Sequence, residues 1–442
     1  MNFKGITHHL VGLMAIMATL MGWSTAQAEE PFKVGFVYVG PIGDHGWSYQ
    51  HDQSRLALEK HFGDKVKTTY VENVPEGADA ERVIRNLAKS GNQVIFTTSF
   101  GFMNPTAKVA KQFPKVTFLH ATGYKRSKNL GTYISKTYEG RYIAGYVAAK
   151  MTKSNKIGYI ASFPIPEVIR DINAVQLALN KYNPDAELKV VWVNTWFDPG
   201  KEADAANAMM DQGVDVILQH TDSPAAMQAA ERRGKYAVGQ ASDMSRFGPN
   251  AHLMSVVDDW AWFTIHTVQS VMDGNFKSED FWGGMKEDMI QVPGFGPAVP
   301  EDVKKHAEEL IAGIKDGSFH PFTGPIKDQS GKLTVRLVAH YSADVFEVGA
   351  LYQITEEVTS GVDSENTSMV VSGAFKIDRI KLKAQYGITE GDVTDEEVTM
   401  MGVGADYQLA KASKAFVYMT SLERDVADDE NQVFGIGLEH KF

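Results

Sequence analysis

The chain has 442 residues, 43% hydrophobic and 22% charged, a composition that excludes a disordered polymer and suits about two or three domains. It has no cysteine, which excludes disulfides, thiolate metal sites, a cysteine nucleophile and a lipid-modified N-terminal cysteine. Of the net charge of −11, residues 333–442 carry −10, from 9 Lys and Arg against 19 Asp and Glu. Neither part has the basic footprint that phosphates require, so no nucleic-acid partner is expected.

In chain order, Met1–Ala28 reads as a signal peptide: Lys4, an apolar run from Leu10 to Gly22 and the small-x-small site Ala26-Gln27-Ala28. The run is too short to span a bilayer, which takes about 20 residues. The mature chain is expected to begin at Glu29, in a periplasm.

From Lys33 the text alternates strands and helices. Strands are predicted at Lys33–Gly40, Lys67–Val71, Gln93–Thr97 and Val116–His120, with helices at Trp47–Phe62 and Ala78–Lys89. A second cycle holds a helix at Tyr138–Met151, strands at Lys156–Ala161, Leu188–Val193 and Val214–Gln219, and helices opening near Pro166 and Lys201. This order predicts parallel sheets flanked by helices, in two lobes with crossings near Gly131 and His252. In such sheets ligands bind beyond the carboxyl ends of the strands.

The residues at those ends are unusual. They read Gly40-Pro-Ile-Gly-Asp-His-Gly-Trp-Ser48, Thr97-Thr-Ser-Phe-Gly-Phe102, Asn194-Thr-Trp-Phe-Asp-Pro199, Gln219-His-Thr-Asp-Ser223 and Gly239-Gln-Ala-Ser-Asp-Met244. Large rings recur where polar turn residues would suffice. Trp47, Phe100 and Trp196, interleaved with Asp44, Ser48, Ser99, Asp222 and Asp243, suit a flat ligand with polar edges, stacked between rings and read by hydrogen bonds. Each tryptophan taken singly is more often a packing residue; the set together points to a site.

Enzyme signatures are missing: no Gly-x-Ser-x-Gly, no His-Glu-x-x-His, no phosphate loop and no Gly-x-Gly-x-x-Gly after a strand. Asp258-Asp259 is expected to begin or cap the helix carrying Trp260, and His120 and His220 to be hydrogen-bonding loop histidines. No enzyme, catalytic residue, metal or cofactor is expected; an exported two-lobed α/β chain of this kind reads as a binding protein.

From Lys33 to Gly331 the chain resembles the basic membrane protein family of periplasmic purine-binding proteins, which serve ABC importers. The resemblance rests on Lys33-Val-Gly-Phe-Val-Tyr-Val-Gly-Pro41, Tyr70-Val-Glu-Asn-Val-Pro-Glu-Gly77, Thr97-Thr-Ser-Phe-Gly-Phe102, His120-Ala-Thr-Gly-Tyr-Lys-Arg126, Asn194-Thr-Trp-Phe-Asp-Pro-Gly-Lys201 and His320-Pro-Phe-Thr-Gly-Pro-Ile-Lys-Asp-Gln329. It implies a two-lobed type I periplasmic-binding-protein fold, and a purine, adenine favoured, between one ring from each lobe. Trp47 and Trp196 match those rings, Ser48 the polar position beside the first, and Asp243 lies near the family's acidic position at a different spacing. An inner-membrane ABC permease is the implied partner. The family also implies a closing segment beyond Lys332, where this chain departs from the pattern.

After Lys332 the period becomes two. Phe346, Val348, Ala350, Tyr352 and Ile354 share one face against Glu347, Gly349, Leu351 and Gln353, the alternation of a membrane barrel wall or of a soluble sandwich. Connections near Ala343, Asp378 and Lys411 read as tight, and those at Glu356–Thr367, Glu390–Glu397 and Glu423–Gln432 as long and acidic, the asymmetry of outer-membrane barrels. The tail resembles the C-terminal part of Gram-negative general porins at Leu382-Lys-Ala-Gln-Tyr-Gly387, Val403-Gly-Ala-Asp-Tyr407 and Gly435-Ile-Gly-Leu-Glu-His-Lys-Phe442. That likeness implies an outer-membrane assembly partner recognising Phe442. Leu333–Tyr341 reads as a seventh strand or as a linker to six, both short of the roughly eight strands of a small barrel.

The expected division is a signal peptide at 1–28, a binding domain at 29–332 and an all-β antiparallel, partial porin-like segment at 333–442. The expected function is purine capture for an importer. The alternative is an outer-membrane porin-like protein that carries the binding domain.

Overall fold

A computed structural model describes residues 30–43, 45–328, 332–359, 362–392, 397–410, 412–425 and 429–440. The expected signal peptide, Asp44 and Phe442 lie outside the described residues. The chain forms two units, Met1–Pro321 and Phe322–Phe442.

In the first unit one lobe is built from β1 (Phe32–Val37), α1 (Trp47–Phe62), β2 (Val66–Val71), α2 (Ala78–Lys89), β3 (Val94–Thr97), α3 (Met103–Ala110), β4 (Thr117–Ala121) and β5 (Leu130–Ser135). The chain enters the second lobe through α4 (Thr137–Met151). There it forms β6 (Lys156–Ala161), α5 (Pro166–Tyr182), β7 (Glu187–Trp192), α6 (Pro199–Asp211), β8 (Val216–Gln219), α7 (Ala225–Arg232), β9 (Tyr236–Ala241) and β10 (His252–Asp258). It returns with α8 (Ala261–Met272) and β11 (Asp280–Gly283), then crosses again to β12 (Ile290–Gln291) and α9 (Glu301–Asp316).

The sheets run β11-β5-β4-β3-β1-β2 and β12-β10-β9-β8-β6-β7. All pairings are parallel except that of β12 with β10. Helices cover both faces, so the central strands are predominantly apolar; β3, β4 and β8 are buried at every residue, the polar Thr97, Thr117, His120 and Gln219 included. The edge strands β2 and β7 are partly exposed and mix polar with apolar residues.

The expected crossings are displaced. Gly131 is inside β5, where an added Cβ would lie 3.2 Å from Leu119 and 3.4 Å from the Glu279 carbonyl; it permits close strand packing rather than a turn. His252 opens β10. The chain crosses after Ser135, after Asp258 and after Gly283, three times instead of two. These segments are tied together: the Trp260 indole N–H donates to Ser135 Oγ at 2.8 Å, and Met285 N to Glu139 Oε2 at 2.6 Å.

The second unit is an antiparallel meander of β13 (Leu333–Ser342), β14 (Phe346–Thr359), β15 (Val362–Ile377), β16 (Ile380–Gly391), β17 (Glu397–Ala410), β18 (Ser413–Arg424) and β19 (Asp429–His440), in sequential order. Leu333–Ser342 is a strand, paired with β14 along its whole length. The long acidic loop expected at Glu356–Thr367 is instead ladder, since β14 and β15 stay paired to Thr359 and Val362. Backbone pairing extends the hairpin through residues whose side chains read as loop. The same happens to a lesser degree at Glu390–Glu397 and Glu423–Gln432.

The register places Tyr341, Val348, Gly373, Ala384, Val403, Met419 and Phe434 across one face. Residues two or four positions away, Leu337, Phe346, Val371, Leu382, Met401, Val417 and Ile436, lie on the same face, as the period of two requires. The other face carries Glu347, Lys381, Lys383, Asp406, Lys414 and Glu439, joined by ion pairs of 2.7–3.1 Å.

Candidate functional site

The carboxyl ends of the two sheets face one another across a cleft. Its cavity is lined by Val39, Trp47, Ser99, Phe100 and Thr122 from the first lobe, and by Ile165, Glu167, Trp196, His220, Asp222 and Gln240 from the second. Non-glycine residues with positive φ gather at these strand ends: His45 (64°), Thr122 (62°), Asn194 (52°) and Ala241 (59°). Left-handed backbone costs such residues on the order of 1–3 kcal/mol each, and it concentrates at binding sites.

Trp47 opens α1. Its indole N–H donates to the Thr98 carbonyl at 2.5 Å, and its ring meets Trp260 edge-on at 4.7 Å and His51 at 4.8 Å. Trp260 in turn stacks on His51 at 3.6 Å. Burial lowers the His51 pKa to about 3, so the cluster behind Trp47 stays neutral. Trp196, across the cleft, leans on Phe163 at 5.1 Å, and its buried indole nitrogen has no hydrogen-bond partner among the described residues. Both rings are thus held from behind by other rings, which limits the entropy lost when a ligand stacks on them.

The lobes touch. Trp47 N donates to Asp222 Oδ1 at 3.0 Å, the Ser242 hydroxyl to the His45 carbonyl, and Arg246 to His45 Nδ1 at 2.9 Å. His45 also packs on Phe247 at 4.9 Å. This is a closed cleft.

Beneath the second-lobe wall lie buried ionisable groups. The Asp171 carboxylate accepts from Thr137 Oγ1 at 2.9 Å and lies 3.5 Å from both Arg141 Nε and His220 Nδ1. Burial, and then the Asp171 charge, push the Glu167 carboxyl up to about 8. Burial raises Asp171 to about 6 and Asp258 to about 7. His220 is lowered well below the usual histidine range by burial and by Arg141 and Arg170. The wall therefore offers a neutral acid and a neutral imidazole. Among the described residues no group of three or more His, Asp or Glu could hold a metal.

Of the sequence-expected residues, the structure brings Trp47, Ser99, Phe100, Trp196 and Asp222 to one cavity. Ser99 Oγ donates to Glu76. Ser48 is not on the wall; its buried hydroxyl accepts from Gly40 N at 3.1 Å and fixes the loop after β1. Asp243 is exposed and accepts from Ser245 N at 2.9 Å in a turn. Asp259 accepts from Ala261 N at 2.9 Å at the start of α8, whereas Asp258 is a buried strand end. The sequence reading missed Glu167 and Gln240 as wall residues. Glu167 follows β6 by six residues, so the strand-end rule applied at Ala161 would have found it.

The model of the PnrA-like ABC transporter substrate-binding proteins matches residues 32–318, and that of Gram-negative porins matches residues 316–429. A purine-binding protein of Brucella abortus (strain 2308) is 56% identical over 319 residues, covering 72% of this chain and 91% of the relative. A Haloferax volcanii protein that bears the name of an ABC transporter glucose-binding protein is 43% identical over 275 residues, 62% of this chain and 70% of the relative. The solved solute-binding protein of an ABC transporter system from Aeropyrum pernix K1 aligns with a TM-score of 0.59 at 18% identity, over 68% of this chain and 94% of its own. That likeness concerns the fold alone.

Proposed function

We propose, for a chain that belongs to the PnrA-like family of ABC transporter substrate-binding proteins, that it captures a purine base, adenine favoured, in the periplasm and delivers it to an inner-membrane permease. Members of this family are solute-binding proteins, not enzymes. The observation that carries the reading is the pairing of Trp47 and Trp196, one from each lobe, on a single cavity. Stacking on such rings contributes roughly 1–3 kcal/mol per base contact. Ser99, Phe100 and Asp222 complete the wall in this reading, and cleft closure is the hinge motion that presents the loaded form to the permease. The Brucella relative's purine ligand supports it; the glucose in the name of the Haloferax relative is the competing ligand. Isothermal titration of the purified chain with adenine, hypoxanthine, guanosine and glucose tests the proposal. Heat is expected from the bases and none from glucose; silence with every purine would sink it.

A second reading is favoured by the apolar face of the seven-stranded sheet and the porin match: the tail, 333–442, places the protein in the outer membrane. Cell fractionation decides, since recovery in the soluble periplasm alone ends this reading.

A further inference from the structure

Of the two acids on the cavity wall, Asp222 is held by Trp47 N, which leaves Glu167 as the acid whose chemistry nothing in the protein explains. It is 6% exposed and lines the cavity from the first turn of α5. Among the described residues its carboxyl has no hydrogen-bond or ion-pair partner, although two arginines are near enough to shift its titration. Neither guanidinium bonds to it, and buried nitrogens of both have no hydrogen-bond partner among the described residues. Arg141 lies 3.5 Å from Asp171, and Arg170 sits over the rings of Tyr138 at 5.5 Å and Trp282 at 5.1 Å. A buried acid left unpaired by the protein is costly unless a ligand completes it.

We propose that Glu167 is the residue that reads the ligand's edge, acting as a neutral carboxyl that donates to a ring nitrogen and accepts from the adjacent exocyclic amino group. This rests on the purine reading above and narrows it to 6-aminopurines and bases of like edge. A glutamine amide makes that same bidentate contact with adenine, and a protonated carboxyl has the same donor and acceptor side by side. A carboxylate has only acceptors and would set a lone pair against the ring nitrogen. The groups that face Glu167 hold it neutral or leave it so. Asp171, on α5, and Asp258, at the end of β10, oppose its ionisation; Arg170 and Arg141 favour ionisation, but burial outweighs them. His220, at the end of β8, is itself neutral.

The test is titration calorimetry of the full chain and two variants with adenine and with unsubstituted purine, which lacks the amino group. Glu167→Gln should bind adenine within about 3-fold of the parent, and Glu167→Ala at least about 10-fold more weakly, as expected for one lost bidentate contact. Glu167→Ala should weaken purine binding by a smaller factor than adenine binding, because purine keeps the ring nitrogen and lacks the amino group, whereas a merely misfolded wall would weaken both alike. Between pH 7 and 9 the parent should lose adenine affinity while Glu167→Gln does not. Equal adenine affinity in parent and Glu167→Ala, or equal loss in both variants, overturns the assignment while leaving purine binding intact. No heat from the parent with any purine overturns the purine reading and this inference with it.

Discussion

Burial with no protein partner makes the Glu167 carboxyl a measurable burden on the ligand-free protein. Its pKa is pushed up to about 8, while the unfolded chain releases that proton near the ordinary glutamate value of about 4.3. Between those limits the native state holds a proton that the unfolded state has lost, so stability falls as pH rises, by up to about 1.4 kcal/mol per pH unit. Below about pH 4 the contribution is level. His51 and His120, both lowered to about 3 by burial, act in the opposite sense, but only below the ordinary histidine value of about 6.5. The window from pH 6.5 to 8 therefore isolates the acids. Thermal melts of Glu167→Gln should gain on the parent progressively across that window, and a constant difference would show that Glu167 is ionised in the folded chain. At this scale the site was half legible. Aromatic side chains at strand ends are conspicuous in a sequence, so Trp47, Phe100 and Trp196 could be read. Ser48 could not be told from a wall residue, because whether a hydroxyl faces a cavity or a loop amide depends on a rotation that no local pattern encodes. Glu167 was hidden because an acid in a helix's first turn is commonplace, and its meaning lies in burial.

At the scale of elements, the approach of α1 to the second lobe depends on a residue with no side chain. Gly46 precedes Trp47, and a Cβ there would lie 2.6 Å from Asp222 Cα, Cβ and O. The same approach lets Trp47 N donate to Asp222 at 3.0 Å. Backbone atoms cannot step aside, so Gly46→Ala must hold the lobes apart while leaving each sheet intact. We expect a ligand affinity at least about 10-fold lower, a larger radius of gyration by small-angle scattering with ligand present, and little change in the melting temperature of the ligand-free chain. Unchanged affinity would mean that the cleft closes by another contact. The first two helices were readable from sequence, with α1 and α2 placed at their observed limits, because both are bounded by clear signals: Gly46 and Gly77 before them, Gly63 and Ser90 after. The crossings were not. Gly131 and His252 look like punctuation, but a glycine buried between strands and one at a turn are identical as text. Likewise the acidic hairpin ends of β14 and β15 read as loops, because exposed backbone pairing does not require apolar side chains.

The second unit poses a problem of the whole molecule. One face of its sheet is apolar and uncovered, with Leu337 66%, Ile436 79% and Leu438 76% exposed, far beyond the scattered apolar surface of a soluble monomer. Its strand count compounds the difficulty. In a seven-stranded meander β13 and β19 run in the same direction, so the two free edges cannot close antiparallel on each other, and no pairing between them occurs among the described residues. Open edges in lipid leave amides unpaired at several kcal/mol each, and in water they invite pairing with other copies. The first unit has no such need: every residue lining its cavity lies between Val39 and Gln240. Two consequences separate the units. The full chain should self-associate in buffer and become monodisperse only in detergent, by size-exclusion chromatography with light scattering. A chain ending at Lys332 should be monodisperse without detergent and bind adenine within about 3-fold of the full chain. A full chain that is monomeric in plain buffer would show that the apolar face is covered by something intramolecular. Loss of adenine binding on truncation would mean that residues 333–442 support the binding unit, because the cavity itself loses no lining residue.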